Sequence, residues 1–102
     1  MKDFELPSKE LSLFCERWQV TELALFGSVL RREFRPDSDI DVLITLSPEA
    51  KVTMLDFVRM KNELSGILGR EVDLVSRQGL KQSSNYLRRD AILESAVTVY
   101  EA

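Results

Sequence analysis

The apolar positions of this chain change period several times, and each change marks an element. Leu11, Phe14, Cys15 and Trp18 recur at i, i+3, i+4 and i+7, which is one face of a helix, and Ser8 after Pro7 is placed to cap it. Residues 20–26 form an almost continuous apolar run, the pattern of a buried strand. Gly27-Ser28 ends that run, and a short helix over 29–34 is predicted before the turn cluster Arg35-Pro36-Asp37-Ser38. A second strand is expected over 40–46, broken by Ser47-Pro48. Thr53 with Asp56 three residues on resembles a capping box, with Asp in place of Glu or Gln. Phe57, Met60, Leu64, Ile67 and Leu68 then mark the core face of a long helix that stops at Gly69. A third short strand over 71–75, a helix from about 83 to 95 and a short extended tail over 96–100 complete the chain. The order helix-strand-helix-strand-helix-strand-helix predicts an α+β fold, a small mixed sheet flanked by helices. Phe14, Trp18, Phe57 and Tyr86 are assigned to the core, and Arg88-Arg89 to an exposed helix face.

Composition narrows the chemistry. The 102 residues are expected to form one domain, 1–102, with no room for a second, acceptor-binding one. A net charge of −3 disfavours nucleic acid as the main partner. One cysteine, Cys15, allows no intrachain disulfide. The absence of histidine excludes a Ser-His-Asp triad and His-based zinc sites, so acid–base or metal chemistry must rest on carboxylates. No apolar run approaches membrane-spanning length and no signal peptide opens the chain, so the cytoplasm is the expected location.

Two carboxylates stand where such a strand should not carry them. Asp39 and Asp41 flank Ile40 at the head of the apolar run Val42-Leu43-Ile44, and charges are rare in such segments unless compensated. Residues i and i+2 of a strand share a face, which sets the two carboxylates about 6 Å apart, a repulsion of about 3 kcal/mol at an effective dielectric near 20. A divalent cation removes that penalty. Ten residues before Asp39, Gly27-Ser28 closes the first strand. Glycine lets the backbone approach a phosphate closely, and the N-terminus of a following helix offers free N–H groups to an anion. A metal–nucleotide site follows from the two halves together.

The pattern G-S-x10-D-x-D resembles the signature of nucleotidyltransferases related to DNA polymerase beta. The chain is similar to their smallest version, the minimal nucleotidyltransferase (MNT) domain. Phe26-Gly27-Ser28, Arg31 and Ser38-Asp39-Ile40-Asp41 match the family wording FGSxxR…SDxD, and Glu71-Val72-Asp73-Leu74-Val75 matches the strand that carries its third carboxylate. The resemblance spans roughly residues 10–100. Two positions depart from it: Val29 and Arg32 stand where many relatives have Arg and Gly.

The resemblance implies the nucleotidyltransferase fold, with Asp39, Asp41 and Asp73 as metal-binding and catalytic residues and Gly27, Ser28 and Arg31 as nucleotide-binding ones. Glu71 shares the face of Asp73 and is the alternative third carboxylate. Mg²⁺ is the implied cofactor and ATP the implied substrate. MNT domains commonly act as antitoxins of HEPN-family toxins. The implied reaction is therefore transfer of AMP to a hydroxyl of such a partner, with tyrosine the expected acceptor, in a homo-oligomer or a hetero-oligomer with the toxin. The competing reading is a non-catalytic antitoxin that neutralises its partner by masking.

Overall fold

A computed structural model of the protein describes residues 7–27 and 39–102. Helix α1 (Ser8–Trp18) leads directly into β1 (Val20–Phe26). Strand β2 (Ile40–Leu46), helix α2 (Met54–Leu68) and strand β3 (Val72–Ser76) follow. The chain ends in two helices, α3 (Arg77–Lys81) and α4 (Tyr86–Ser95), and strand β4 (Val97–Glu101). The described strands form one mixed sheet in the order β3-β2-β1-β4, with β2 and β3 parallel and the other pairs antiparallel.

Both faces of this sheet are covered, which explains why β1 and β2 read as nearly unbroken apolar runs. On one face Leu23, Leu25, Ile40, Val42, Ile44, Val72 and Leu74 pack with Leu11, Phe14 and Cys15 of α1 and Met60, Leu64 and Leu68 of α2. On the other, a smaller cluster joins Ala24, Phe26 and Leu43 to Leu80 of α3 and Ile92 of α4. That second layer is short. Alternation along β2 puts Asp41 on the same face as Leu43, just past the edge of the small cluster.

The helix signals perform as their chemistry requires. Thr53 and Asp56 form a reciprocal capping box at the start of α2. Gly69 takes the left-handed conformation (φ +70°) that ends it. The first helix differs in detail: Pro7 sits at its N-cap with no side-chain cap, and Ser8 is already helical. Arg17 of α1 pairs with Glu63 of α2, which also accepts a hydrogen bond from Trp18 Nε1 at 3.1 Å.

Four expectations need correction or fall outside view. The 96–100 tail is not a loose end. Val97–Glu101 adds to β1 as the sheet's fourth strand, tied by Thr98 Oγ1 donating to Glu22 at 2.6 Å. The segment between β3 and the last helix holds a separate short helix, α3, capped by the Ser76 side chain, and the final helix starts only at Tyr86, after the Asn85 cap. Tyr86 is 59% exposed rather than core, because it sits in the first turn of α4, away from the Ile92 contact. The expected helix over 29–34 and the turn over 35–38 lie outside the described residues.

Candidate functional site

The sheet brings the three aspartates to one end. Asp41 is the second residue of β2 and Asp73 the second of β3, and in the parallel β2–β3 ladder they are direct partners. Adjacent strands lie about 4.8 Å apart and register partners share a face, so the two carboxylates stand side by side. Asp39 immediately precedes β2 and is exposed, as is Asp73, while Asp41 is half-buried. Glu71, the alternative third carboxylate, falls just before β3; its carbonyl accepts the Ile40 N–H at 2.9 Å and locks the start of this ladder.

The charge state of Asp41 reflects that crowding. Burial pushes its carboxyl above the ordinary carboxylate value, the Asp73 and Asp39 charges push the same way, and the Arg88 guanidinium pulls against them. The three carboxylates are thus electrically coupled at the end of β2 and β3. Among the described residues, no three acidic, histidine or cysteine side chains are grouped closely enough to hold a metal ion by themselves. An open set of oxygen donors suits magnesium, which takes one or two carboxylates and completes its shell with water and substrate phosphates.

Gly27 belongs to the same site for a physical reason. It follows Phe26, the β1 partner of Asp41 in the antiparallel ladder. Its φ of +75° lies in the left-handed region, and a Cβ there would stand 2.1 Å from Asp41 Oδ2. The left-handed backbone favours glycine here, and any Cβ would displace the Asp41 carboxylate. The two halves of the sequence pattern therefore meet in space at Gly27 and Asp41. Ser28 and Arg31, the other nucleotide-binding residues expected from the sequence, lie outside the described residues, as do Val29, Arg32 and Arg35.

Arg88, expected on a plain exposed helix face, is exposed in α4. At the end of the sheet far from the aspartates, Arg77 donates to Thr45 Oγ1 at 2.8 Å and Glu22 Oε1 at 3.2 Å, a polar clamp across α3, β1 and β2.

Comparison with known proteins identifies the family of the chain. A family model described as nucleotidyltransferase domain matches residues 8–99. The protein adenylyltransferase MntA of Thermococcus cleftensis is 39% identical over 66 residues, 65% of this chain and 65% of that protein; the chain thus spans just under two thirds of that relative. A Methanocaldococcus jannaschii relative, provisionally named a protein adenylyltransferase, is 40% identical over 80 residues, 78% of this chain and 80% of that one. A solved structure described provisionally as a minimal nucleotidyltransferase is 39% identical, with a TM-score of 0.66 over 87% of this chain and 84% of that one. Two more distant structures, each 18% identical, share the fold. One is a toxin–antitoxin with AMP-PNP, at a TM-score of 0.71 over 95% of this chain and 75% of that one. The other is a tri-AMPylated Shewanella oneidensis HEPN toxin in complex with its MNT antitoxin, at 0.63 over 93% and 70%.

Proposed function

The chain belongs to the nucleotidyltransferase domain family, and from that premise we propose that it transfers AMP from ATP to a tyrosine hydroxyl of a HEPN-fold toxin, as the antitoxin of the pair. Residues 1–102 act as one domain in the cytoplasm, in a hetero-oligomer with the toxin. The observation that carries this reading is the Asp41–Asp73 pairing across parallel strands, with Asp39 coupled to it and Gly27 closed against it. The names of the relatives support the protein acceptor, and the complexes that share the fold support a HEPN partner.

Asp39, Asp41 and Asp73 would hold Mg²⁺, an oxygen-only donor set suited to that hard cation. Bound magnesium supplies positive charge that offsets the build-up on the departing pyrophosphate. The acceptor oxygen attacks the α-phosphorus in line, the bond to the bridging oxygen of the β-phosphate breaks, and pyrophosphate leaves. Asp73, exposed at the rim, takes the proton of the hydroxyl; with no histidine in the chain a carboxylate is the available base. Gly27 leaves room for the backbone to approach the triphosphate, while Ser28 and Arg31 donate to its oxygens. Most of the rate enhancement then comes from positioning and fixed charge.

Incubating the protein with α-labelled ATP, Mg²⁺ and the purified partner tests this reading. Label should appear on the partner and chelation should abolish it. A partner that is neutralised without acquiring label would establish masking instead.

A further inference from the structure

Strand β3 stands at one edge of the described sheet, and its first residues are held from both sides. On the inner side the Glu71 carbonyl accepts the N–H of Ile40, the first residue of β2, at 2.9 Å. Along such a ladder successive residues turn their backbone groups alternately towards and away from the neighbouring strand, so the Val72 N–H faces off the edge. Val72 is buried, and a buried N–H without a partner is costly. Helix α2 supplies that partner: Ser65 Oγ accepts the Val72 N–H at 3.2 Å.

Ser65 is itself fixed. Its hydroxyl donates to the Lys61 carbonyl one turn back, at 3.0 Å. Its own carbonyl accepts the N–H groups of Gly69 and Arg70 at 2.9 and 3.2 Å. One residue thus ends α2, shapes the loop Gly69-Arg70-Glu71 and grips the first residue of β3. The next residue is Asp73, the ladder partner of Asp41. Without the Ser65 hydroxyl this end of β3 is held on its β2 side alone. The orphaned Val72 N–H then reaches water only if the backbone moves outwards, and Asp73 moves with it.

We infer that Ser65 is a positioning residue of the transfer site, whose hydroxyl holds the Val72 amide and thereby sets where the Asp73 carboxylate stands beside Asp41. The inference rests on the nucleotidyltransfer reading above, in which Asp73 takes the acceptor proton, and its test separates the two. The kcat and ATP KM of AMP transfer to the partner are measured for wild type, Ser65→Ala, Ser65→Thr and Ser76→Ala. Urea unfolding and amide hydrogen exchange at Val72 are measured on the same proteins without metal or nucleotide. Ser76→Ala is the control: it removes a like contact, Ser76 Oγ accepting the Gly79 N–H at 3.0 Å, at the other end of β3. Ser65→Ala should speed Val72 exchange and lower kcat by about ten- to a hundredfold, the scale set by a shift of up to about 1 Å at a reacting centre, with ATP KM unchanged. Ser65→Thr keeps the hydroxyl and should restore both slow exchange and kcat. Ser76→Ala should lose stability in urea with kcat intact. Wild-type kcat in Ser65→Ala, an equal fall in Ser76→Ala, or a threonine variant that recovers slow exchange without kcat overturns the role of Ser65 and leaves the nucleotidyltransfer reading standing. Wild type that transfers no AMP overturns that reading, and unchanged Val72 exchange in Ser65→Ala overturns the clamp whatever the transfer result.

Discussion

Adding one methyl group to each of two glycines separates backbone strain from site geometry. Gly27 and Gly69 both adopt positive φ, +75° and +70°. A Cβ on Gly69 meets nothing within 4 Å, whereas one on Gly27 would sit 2.1 Å from Asp41 Oδ2 and 3.5 Å from Asp41 Cβ. Left-handed backbone costs a non-glycine residue about 1–2 kcal/mol. Gly69→Ala should lose that amount of stability in urea unfolding and Gly27→Ala more, because its Cβ must also push the Asp41 carboxylate aside, with Tm down by roughly 4–8 °C per kcal/mol for a chain of this size. Gly27→Ala must in addition move the Asp41 carboxylate by about 1 Å or more to reach ordinary contact, and a displacement of that order at a reacting centre costs about a hundredfold in rate. AMP transfer should therefore fall about a hundredfold in Gly27→Ala and stay at the wild-type level in Gly69→Ala. Truncating the carboxylate removes the clash, because the remaining Cβ contact at 3.5 Å is ordinary. In an Asp41→Ala background, Gly27→Ala should thus cost no more stability than Gly69→Ala. Wild-type transfer by Gly27→Ala, or equal loss of transfer in Gly69→Ala, would refute the close coupling of Gly27 to Asp41.

Further outcomes follow from the same structure. The native Asp41 carboxyl holds its proton above the ordinary value of 3.8, so between that value and the raised one the folded domain binds more protons than the unfolded chain. Its contribution to stability is complete below pH 3.8 and is lost as pH rises through the native value. The stability of wild type relative to Asp41→Asn, both free of metal and nucleotide, should accordingly fall with rising pH in urea titrations; a rise would contradict the burial and acidic crowding described. Burial pushes the Cys15 thiol from 9.0 up to about 12. A thiol reagent at pH 8 should label Cys15 only on unfolding, and rapid labelling of the native protein would show that α1 does not bury it. Arg77→Ala removes two hydrogen bonds donated by the guanidinium, one of them to a carboxylate, at the end of the sheet far from the aspartates. It should cost about 1–3 kcal/mol in urea unfolding and leave nucleotide affinity unchanged; a loss of affinity would mean that the two ends are coupled.

Strands β1 and β2 were legible because double-sided burial leaves an unmistakable run of apolar residues, and their observed bounds, Val20–Phe26 and Ile40–Leu46, coincide with the pattern. The long helix was legible because its capping box and its Gly69 stop are local chemistry. Strand β4 was not, because its residues are mostly exposed and its pairing with β1 is a contact between distant parts of the chain. Tyr86 was misplaced because an aromatic residue in the first turn of a helix can point either way, and the turn before Ile92 decides it. Asp39 and Asp41 announced themselves as charges in an apolar strand. Their union with Asp73 depends on parallel pairing across α2, which no local pattern encodes.

The central claim is that the carboxylates at the end of β2 and β3 carry out nucleotidyl transfer, with Asp73 activating the acceptor. The most direct measurement is intact-mass spectrometry of the purified toxin partner after incubation with Mg²⁺-ATP and either wild-type protein or Asp73→Asn, alongside ATP affinity for both. Wild type should add AMP to the partner, and Asp73→Asn should bind ATP yet leave the partner's mass unchanged. A partner modified equally by Asp73→Asn, or one that wild type fully neutralises without any added mass, would contradict the account.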